Sequence, residues 1–420
     1  MLRFRKSDRN EYPDWEEQLL SDLVAHYGGT ALESFVSKDG KCNFISIGNY
    51  SPDGKYIDNG QRINPIGKAA EKRLKKNDLV MVLNDKTAAG TIIGSTILID
   101  SDNYIYNQRS ERMVCNESVF PTFMWYYINS PVIKNKILKM KQGATQIYVN
   151  FVSVYNMKTN IPCLEEQQKI ADFLSKMDEK ISNQEAVVSD YEELKKGLMQ
   201  KIFSQEIRFK ADDGSEYPEW EEKTFMEVFN VIQNNTFSRD CLNKNEGEVL
   251  NIHYGDVLIK YGSITDICKE EIPFINIDIL LDKFTKESYL CNGDIVISDT
   301  AEDMTVGKAT EIYGVAEKKV LSGLHTIPCR PKMTFAPRYL GYYINSEEYH
   351  NQLIPLIQGI KVSSISKGNI SKTIITYPCL EEQQKIADCL SAMDKKIEAE
   401  KKILEDWKEL KKALLQQMFV

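Results

Sequence analysis

A stretch of twenty residues occurs twice in this chain. PCLEEQQKIADFLSKMDEKI, Pro162 to Ile181, returns as PCLEEQQKIADCLSAMDKKI, Pro378 to Ile397, changed only where Phe173, Lys176 and Glu179 stand in the first copy. A long repeat constrains architecture more than local propensity does, because both copies must build the same kind of unit. The same offset of 216 residues carries YYINS at Tyr126 to Ser130 onto Tyr342 to Ser346, and Gln142-Gly143 onto Gln358-Gly359. It also carries LKKGLMQKIF, Leu194 to Phe203, onto LKKALLQQMF, Leu410 to Phe419. A second offset, 205, aligns RFRKSDRNEYPDWEE from Arg3 with RFKADDGSEYPEWEE from Arg208. The difference of 11 residues is absorbed between Glu222 and Tyr342, so the copies share their frames and diverge between them.

The junctions say how the copies are arranged. In mid-chain, Phe203 runs on to Arg208-Phe209, whereas Phe419 and Arg3-Phe4 carry those same half-motifs at the two ends. Joining the ends would recreate the central junction, which predicts a pseudo-twofold, circular repeat with neighbouring termini.

Behind each proline-led start, apolar residues fall in a four-three alternation. They are Ile170, Leu174, Met177, Ile181, Val188, Tyr191, Leu194, Leu198 and Ile202, then Ile386, Leu390, Met393, Ile397, Leu404, Trp407, Leu410, Leu414 and Met418. This is a heptad seam, broken at Gln184 and Glu400. Proline upstream and a glutamate pair in the first turn favour helix initiation through a fixed φ and the macrodipole. A helix of some 40 residues spans about 60 Å, longer than a domain of such a size is wide. The two helices are therefore expected to pack on each other, antiparallel, with Gln184 and Glu400 fixing register or facing solvent at the seam's edge.

The expected fold class is α+β: two mixed α/β globular domains, 1–163 and 206–379, separated by two long helices, 164–205 and 380–420, packed as an antiparallel coiled coil. Short strands are expected at Asn77 to Asp85, Thr91 to Ile99 and Asn292 to Thr300, each bounded by turn residues. FISIGNY from Phe44 and LNIHYGDV from Leu250 correspond loosely, and Gly48 and Gly255 are expected to make a tight turn at positive φ.

Several functions are disfavoured. No run approaches the roughly 18 apolar residues of a membrane span, and the N-terminus is charged and aromatic where a signal peptide would be apolar, so a cytoplasmic location is expected. Nine cysteines with no CxxC pair and no zinc-finger histidine partner point to buried reduced thiols, and no metal is expected. There is no GxxxxGK[ST], no GxGxxG and no HExxH, and the four histidines, His26, His253, His325 and His350, form no ligand pair. No catalytic residue is expected.

Charge directs attention elsewhere. The net charge is −8, yet residues 1–160 hold 21 Lys+Arg against 17 Asp+Glu while 206–376 hold 18 against 26. No acid occurs from Ser118 to Leu164 or from Tyr349 to Leu380, and lysines stand in both stretches. Lysine neutralises phosphate, while Gln, Asn, Ser and Arg can read base edges. The candidate DNA contacts are Lys134, Lys136, Lys139, Lys141, Gln142 and Gln146 in the first copy. In the second they are His253, Tyr254, Gln358, Lys361, Ser363, Ser364 and Lys367. Ile170, Leu174, Met177 and Ile181, with Ile386, Leu390, Met393 and Ile397, are the candidate coiled-coil and partner residues. A coiled-coil scaffold whose globular ends bind proteins is the alternative, disfavoured by the acid-free stretches.

Two variable regions, each opened by YPxWE and followed by the repeated P-x-L-E-E-Q-x-x-I-A-x-x-L helix, resemble the specificity subunit of type I restriction-modification systems. That resemblance covers essentially the whole chain. It implies two target-recognition domains, each reading half of a split sequence in double-stranded DNA, and helices that set the gap and dock two DNA adenine methyltransferase subunits. Motor-nuclease (restriction) subunits would join for cleavage. S-adenosylmethionine, ATP and Mg would then serve the partner subunits, and this chain would bind no cofactor. The acidic second domain departs mildly from the expectation for a DNA binder.

Overall fold

The computed structural model describes residues 2–87, 89–144, 146–359 and 361–419. The chain divides into two compact units, Met1–Glu185 with Lys402–Val420, and Ala186–Lys401. Each unit thus owns one variable region and a length of both long helices, Leu164–Phe203 and Leu380–Met418.

In the first unit a four-stranded antiparallel sheet runs Val24–Gly28, Ser110–Cys115, Leu79–Val82, Thr96–Leu98. A three-stranded sheet, Arg62–Ile63, Cys42–Ile45, Tyr104–Tyr106, stands beside it, its last pair parallel. The second unit repeats both. Phe229–Val231, Thr326–Pro331, Ile295–Ser298 and Ala309–Tyr313 form the counterpart of the first sheet, extended by a parallel edge strand, Ile264–Asp266. Val249–Ile252 pairs parallel to Lys319–Ser322 and antiparallel to Phe274–Ile275. Expected strands are shorter than their apolar runs, since Thr91 to Gly94 form a turn and only Thr96–Leu98 pairs.

The two sequence offsets appear directly in strand pairing. Glu16–Leu19 pairs with Lys158–Ile161, Glu16 opposite Ile161; Glu221–Thr224 pairs with Ile374–Tyr377, Glu221 opposite Tyr377. One strand is shifted by 205 residues and its partner by 216, so the sheet closes at the same register in both copies. Leu79–Val82 already corresponds to Ile295–Ser298 at the larger offset, placing the 11-residue difference before Ile295.

The repeated motifs are joints. Glu166 is wholly buried where it receives Arg3 Nε and Nη2 at 3.2 and 2.9 Å; Glu382, equally buried, receives Arg208 at 3.3 and 2.8 Å. Gln167 accepts the Phe120 N–H at 2.8 Å and donates to Pro162 O at 2.9 Å, as Gln383 does with Ala336 at 3.0 Å and Pro378 at 2.8 Å. YYINS is explained residue by residue. Tyr126 and Tyr342 donate to Asp178 and Asp394 at 2.6 Å, and the Asn160 and Thr376 N–H groups donate to Tyr127 and Tyr343. Asn129 and Asn345 clamp the backbones of Thr96 and Ala309, and Ser130 and Ser346 cap the following helices.

Within each unit the helical segments run antiparallel. Asp178 meets Lys411 at 2.5 Å and Glu185 meets Lys408 at 2.7 Å; in the other unit Lys195 meets Asp394 at 2.5 Å and Glu192 meets Lys401 at 2.6 Å. Ile170 and Leu174 are buried in the apolar core of the first unit, and Ile386 and Leu390 in that of the second, so these four anchor the helices to the globular parts; Met177, Ile181 and Ile397 are also buried, and Met393 is half-buried. The seam reading fails at Leu194 and Leu410, which are 58% and 46% exposed. At 3.6 residues per turn a straight helix drifts from a heptad stripe, and the adjacent Lys195 and Lys411 turn to the Asp394–Tyr342 and Asp178–Tyr126 pairs. Gln184 is half-buried and Glu400 is buried, where it meets Lys396 at 2.6 Å.

The circular junction is equally plain. Ile207 N–H donates to Lys201 O at 3.0 Å and Leu2 N–H to Gln417 O at 2.8 Å, the same bond made within the chain and across its ends. Phe203 and Phe419 fill matching apolar clusters beside Trp220 and Trp15, each burial worth about 1.5–3 kcal/mol. No helix among the described residues is long and apolar enough to cross a membrane.

The expected positive-φ turn at Gly48 and Gly255 is overturned. Gly48 lies in a 3-10 turn, Ile47–Asn49, and Gly255 in a helix, Tyr254–Ile259, neither in the left-handed region. The strand ends by entering a capped helical turn, which needs no glycine there.

Candidate nucleic-acid interface

Gln142-Gly143 and Gln358-Gly359 open an exposed loop in each unit. Gln142 and Tyr148 exchange both backbone hydrogen bonds, at 2.8 and 3.0 Å; Gln358 and Ser364 do the same at 2.9 and 2.8 Å. Closing so short a loop forces the glycine to φ +91° and +105°, where a Cβ would lie 2.2 Å from Gln146 O and 2.0 Å from Val362 O. Only glycine fits. The loop is then tied inward by short strand pairs, Ile147–Tyr148 with Asn84–Asp85 and Ser363–Ser364 with Thr300–Ala301.

Lys141, Gln142 and Gln146 are exposed on the first loop, and Gln358 and Lys361 on the second, with Ser363 and Ser364 half-buried at its base. Lys367 is exposed and donates to Asn234 Oδ1 at 3.4 Å. The region therefore gathers most of the residues the sequence singled out. Lys136 and Lys139 are exposed on the neighbouring helix Pro131–Lys139. Lys134, on the same helix, is drawn away: its ammonium donates to Pro52 O at 2.5 Å and Ser95 Oγ at 2.8 Å, and burial pushes its pKa down to about 8. Two positions expected within the loops, Thr145 and Ile360, lie outside the described residues.

His253 and Tyr254 part company. His253 is buried and its Nδ1 accepts the Gly255 N–H at 3.2 Å, capping the helix; burial and the nearby Arg239 hold its pKa below the usual range. Tyr254 instead faces the exposed His325 edge-to-face at 5.2 Å. His325 lies 3.3 Å from Asp299 Oδ1 and 3.3 Å from Thr300 Oγ1, and Thr300 is paired with Ser364 of the loop.

Sequence reasoning missed Arg109, Lys86, Asn234, Thr300 and His325. In the first unit a cleft of about 340 Å³ beside the loop is lined by Lys86, Gln108, Arg109, Ser46 and Ile47. Ile47 occupies the position of Tyr254, and Arg109 that of His325. The available signal was the offset of 216, which puts an arginine and a histidine at one turn ahead of matching strands. Among the described residues no group of three or more His, Cys, Asp or Glu side chains is placed to hold a metal ion. Two exposed loops on matched frames, carrying cations and amide or hydroxyl groups, suit phosphate contact and base-edge hydrogen bonding.

Comparison with known proteins bears on the whole chain. A sequence family described as type I restriction modification DNA specificity domain matches residues 12–187 and again 217–408. The chain is 24% identical over 418 residues to the type I restriction enzyme MjaVIII specificity subunit of Methanocaldococcus jannaschii, covering 96% of this chain and 91% of that one. It is 28% identical over 439 residues to the putative MjaX specificity subunit of the same organism, covering 98% and 94%. A solved chain from a study of complex assembly and conformational transition of the type I R-M system shares the fold at TM-score 0.60 and 18% identity, covering 97% of this chain and 98% of that one. The type I restriction-modification S subunit from M. genitalium shares it at TM-score 0.52 and 16% identity, covering 100% and 99%.

Proposed function

Because the chain belongs to the type I restriction-modification DNA specificity family, we propose that each unit's loop face reads one half of a bipartite target in double-stranded DNA. The single observation that carries this reading is the duplicated loop: one backbone frame, present twice, bearing different side chains. A short half-site discriminates little against a genome's competing sequences, whereas two tethered readers multiply specificity through effective concentration. On this reading the chain has no catalytic role. Its long helices set the gap between half-sites and dock two DNA adenine methyltransferase subunits, and motor-nuclease subunits join for cleavage. S-adenosylmethionine, ATP and Mg²⁺ serve those partners.

The test is to map adenine methylation in cells carrying the chain with its methyltransferase. A bipartite motif that disappears with the gene is expected; a continuous motif, or none, would sink the reading. Deleting one heptad from each long helix keeps the seam and removes about 10 Å, so the gap should shorten by roughly three base pairs. An unchanged gap would refute the spacer role.

A further inference from the structure

The duplicated frame reaches one residue further than the loops. In the first unit Val149 N–H donates to Leu83 O at 2.9 Å, and Leu83 N–H donates to Arg109 O at 2.9 Å. In the second, Ile365 N–H donates to Asp299 O at 2.8 Å, and Asp299 N–H donates to His325 O at 3.1 Å. Each residue of one ladder lies 216 positions from its counterpart. The same two backbone steps therefore connect the loop to a turn residue beside it, Arg109 or His325.

Both turn residues sit in the left-handed region, at φ +66° and +54°. Glycine adopts that conformation without strain, and other matched turns use it in one copy. Arg9 at φ +68° is answered by Gly214 at +84°, and Asn77 at +71° by Gly293 at +86°. At 109 and 325 both copies keep a long side chain despite the cost of a non-glycine residue there. Both are exposed. Arg109 lines the cleft with Lys86 and Ile47, and its guanidinium forms no ion pair among the described residues. His325 stands against Tyr254 with Asp299 and Thr300 at its ring nitrogen.

We propose that Arg109 and His325 are the matched specificity-determining residues of the two half-sites, each presenting its ring or fork to a base edge beside the recognition loop. The proposal rests on the reading of the two units as DNA readers. Arginine at an exposed turn offers the bidentate donor pair that matches the O6 and N7 acceptors of guanine, and the imidazole offers a single donor or acceptor. The two halves of the target should therefore differ at the base each residue meets, with guanine opposite Arg109.

Glycine is the clean substitution, because it removes the side chain and relieves the backbone. R109G and H325G should melt no lower than the parent chain, while the methylated motif relaxes at one base position in one half-site only. For R109G the lost discrimination at that position should be about 5- to 150-fold in duplex binding by the complex with its methyltransferase. H325G should leave the Arg109 half untouched. If the parent complex recognises a bipartite motif and both glycine variants recognise the same motif with the same discrimination, this assignment is overturned and the two-reader function stands. Uniform weakening over all sequences would equally overturn it, reducing the pair to phosphate contacts. A parent complex without a bipartite motif would bring down both readings together.

Discussion

Beside the 142–148 loop of the first unit stand Lys86, Gln108 and Arg109; the corresponding positions beside the 358–364 loop are Glu302, Leu324 and His325. The joints under those loops behave in the opposite way. Arg3, Glu166, Gln167, Tyr126, Asp178 and Lys411 are matched, residue for residue, by Arg208, Glu382, Gln383, Tyr342, Asp394 and Lys195, with the same bonds. A buried polar joint tolerates little change, since a stranded carboxylate or amide loses its hydrogen bonds and its solvation together. The exposed positions beside the loops make few such bonds, so their side chains differ between the two copies. Physical chemistry alone thus separates a constant frame from a variable face, which is what two readers of different sequences require.

The strongest way to break the comparison is at the joints. Arg3→Ala and Arg208→Ala each strand a fully buried glutamate, at a cost of about 3–5 kcal/mol. The two joints differ in one donor. Trp15 Nε1 also donates to Glu166 at 3.2 Å, whereas Trp220 Nε1 finds no acceptor among the described residues. Arg208→Ala should therefore be the more damaging of the two. Denaturant unfolding of the single variants measures this directly, and equal losses would mean that the tryptophan bond contributes nothing.

That asymmetry could not have been read from the sequence, where Trp15 and Trp220 look interchangeable. What was legible were features with long repeats or strict periodicity: the two copies, the helices at 164 and 380, the antiparallel pairing and the circular closure at Phe203 and Phe419. Strand register was not, although in the structure it agrees with the two offsets. The Gln-Gly loops were legible through the pair that repeats at the offset of 216 and the acid-free stretches around it; that glycine is obligatory there is visible only in the fold. Individual contacts were not. Lys134 reads as a free cation in the sequence, but its ammonium is bonded to Pro52 and Ser95, and His253 is a helix cap. Leu194 fitted the heptad but lost the inward position to Lys195, whose partner Asp394 lies 199 residues away. Arg109 and His325 escaped because nothing local marks a left-handed arginine or histidine; only the tertiary ladder does.

A smaller effect tests whether the loops are equally constrained. Gly143→Ala and Gly359→Ala both drive a Cβ into a carbonyl oxygen at positive φ, so each should cost about 1–3 kcal/mol, confined to its loop. Hydrogen exchange at Tyr148 and Ser364 would report the opening, and each variant should weaken only its own half-site. A loss at both half-sites from one substitution would mean that the units do not read independently.

The smallest expected effect concerns a position where the frames themselves differ. Lys134 corresponds to His350, so only the first unit buries an ammonium there. Its folded pKa, pushed by burial to about 8, lies below the ordinary lysine value of 10.5. Between those values the unfolded chain holds more protons than the folded one, so stability rises as pH rises through that window and is lowest below pH 8. Solvent screening at this partly exposed site leaves about 1 kcal/mol. Lys134→Met should then lose this trend: the two lost hydrogen bonds lower its stability at every pH, but its deficit against the parent chain should be smaller at pH 7 than at pH 10.5 by about that amount. Thermal unfolding at pH 7 and pH 10 measures the difference. A gap that is the same at both pH values would assign the lysine a packing role.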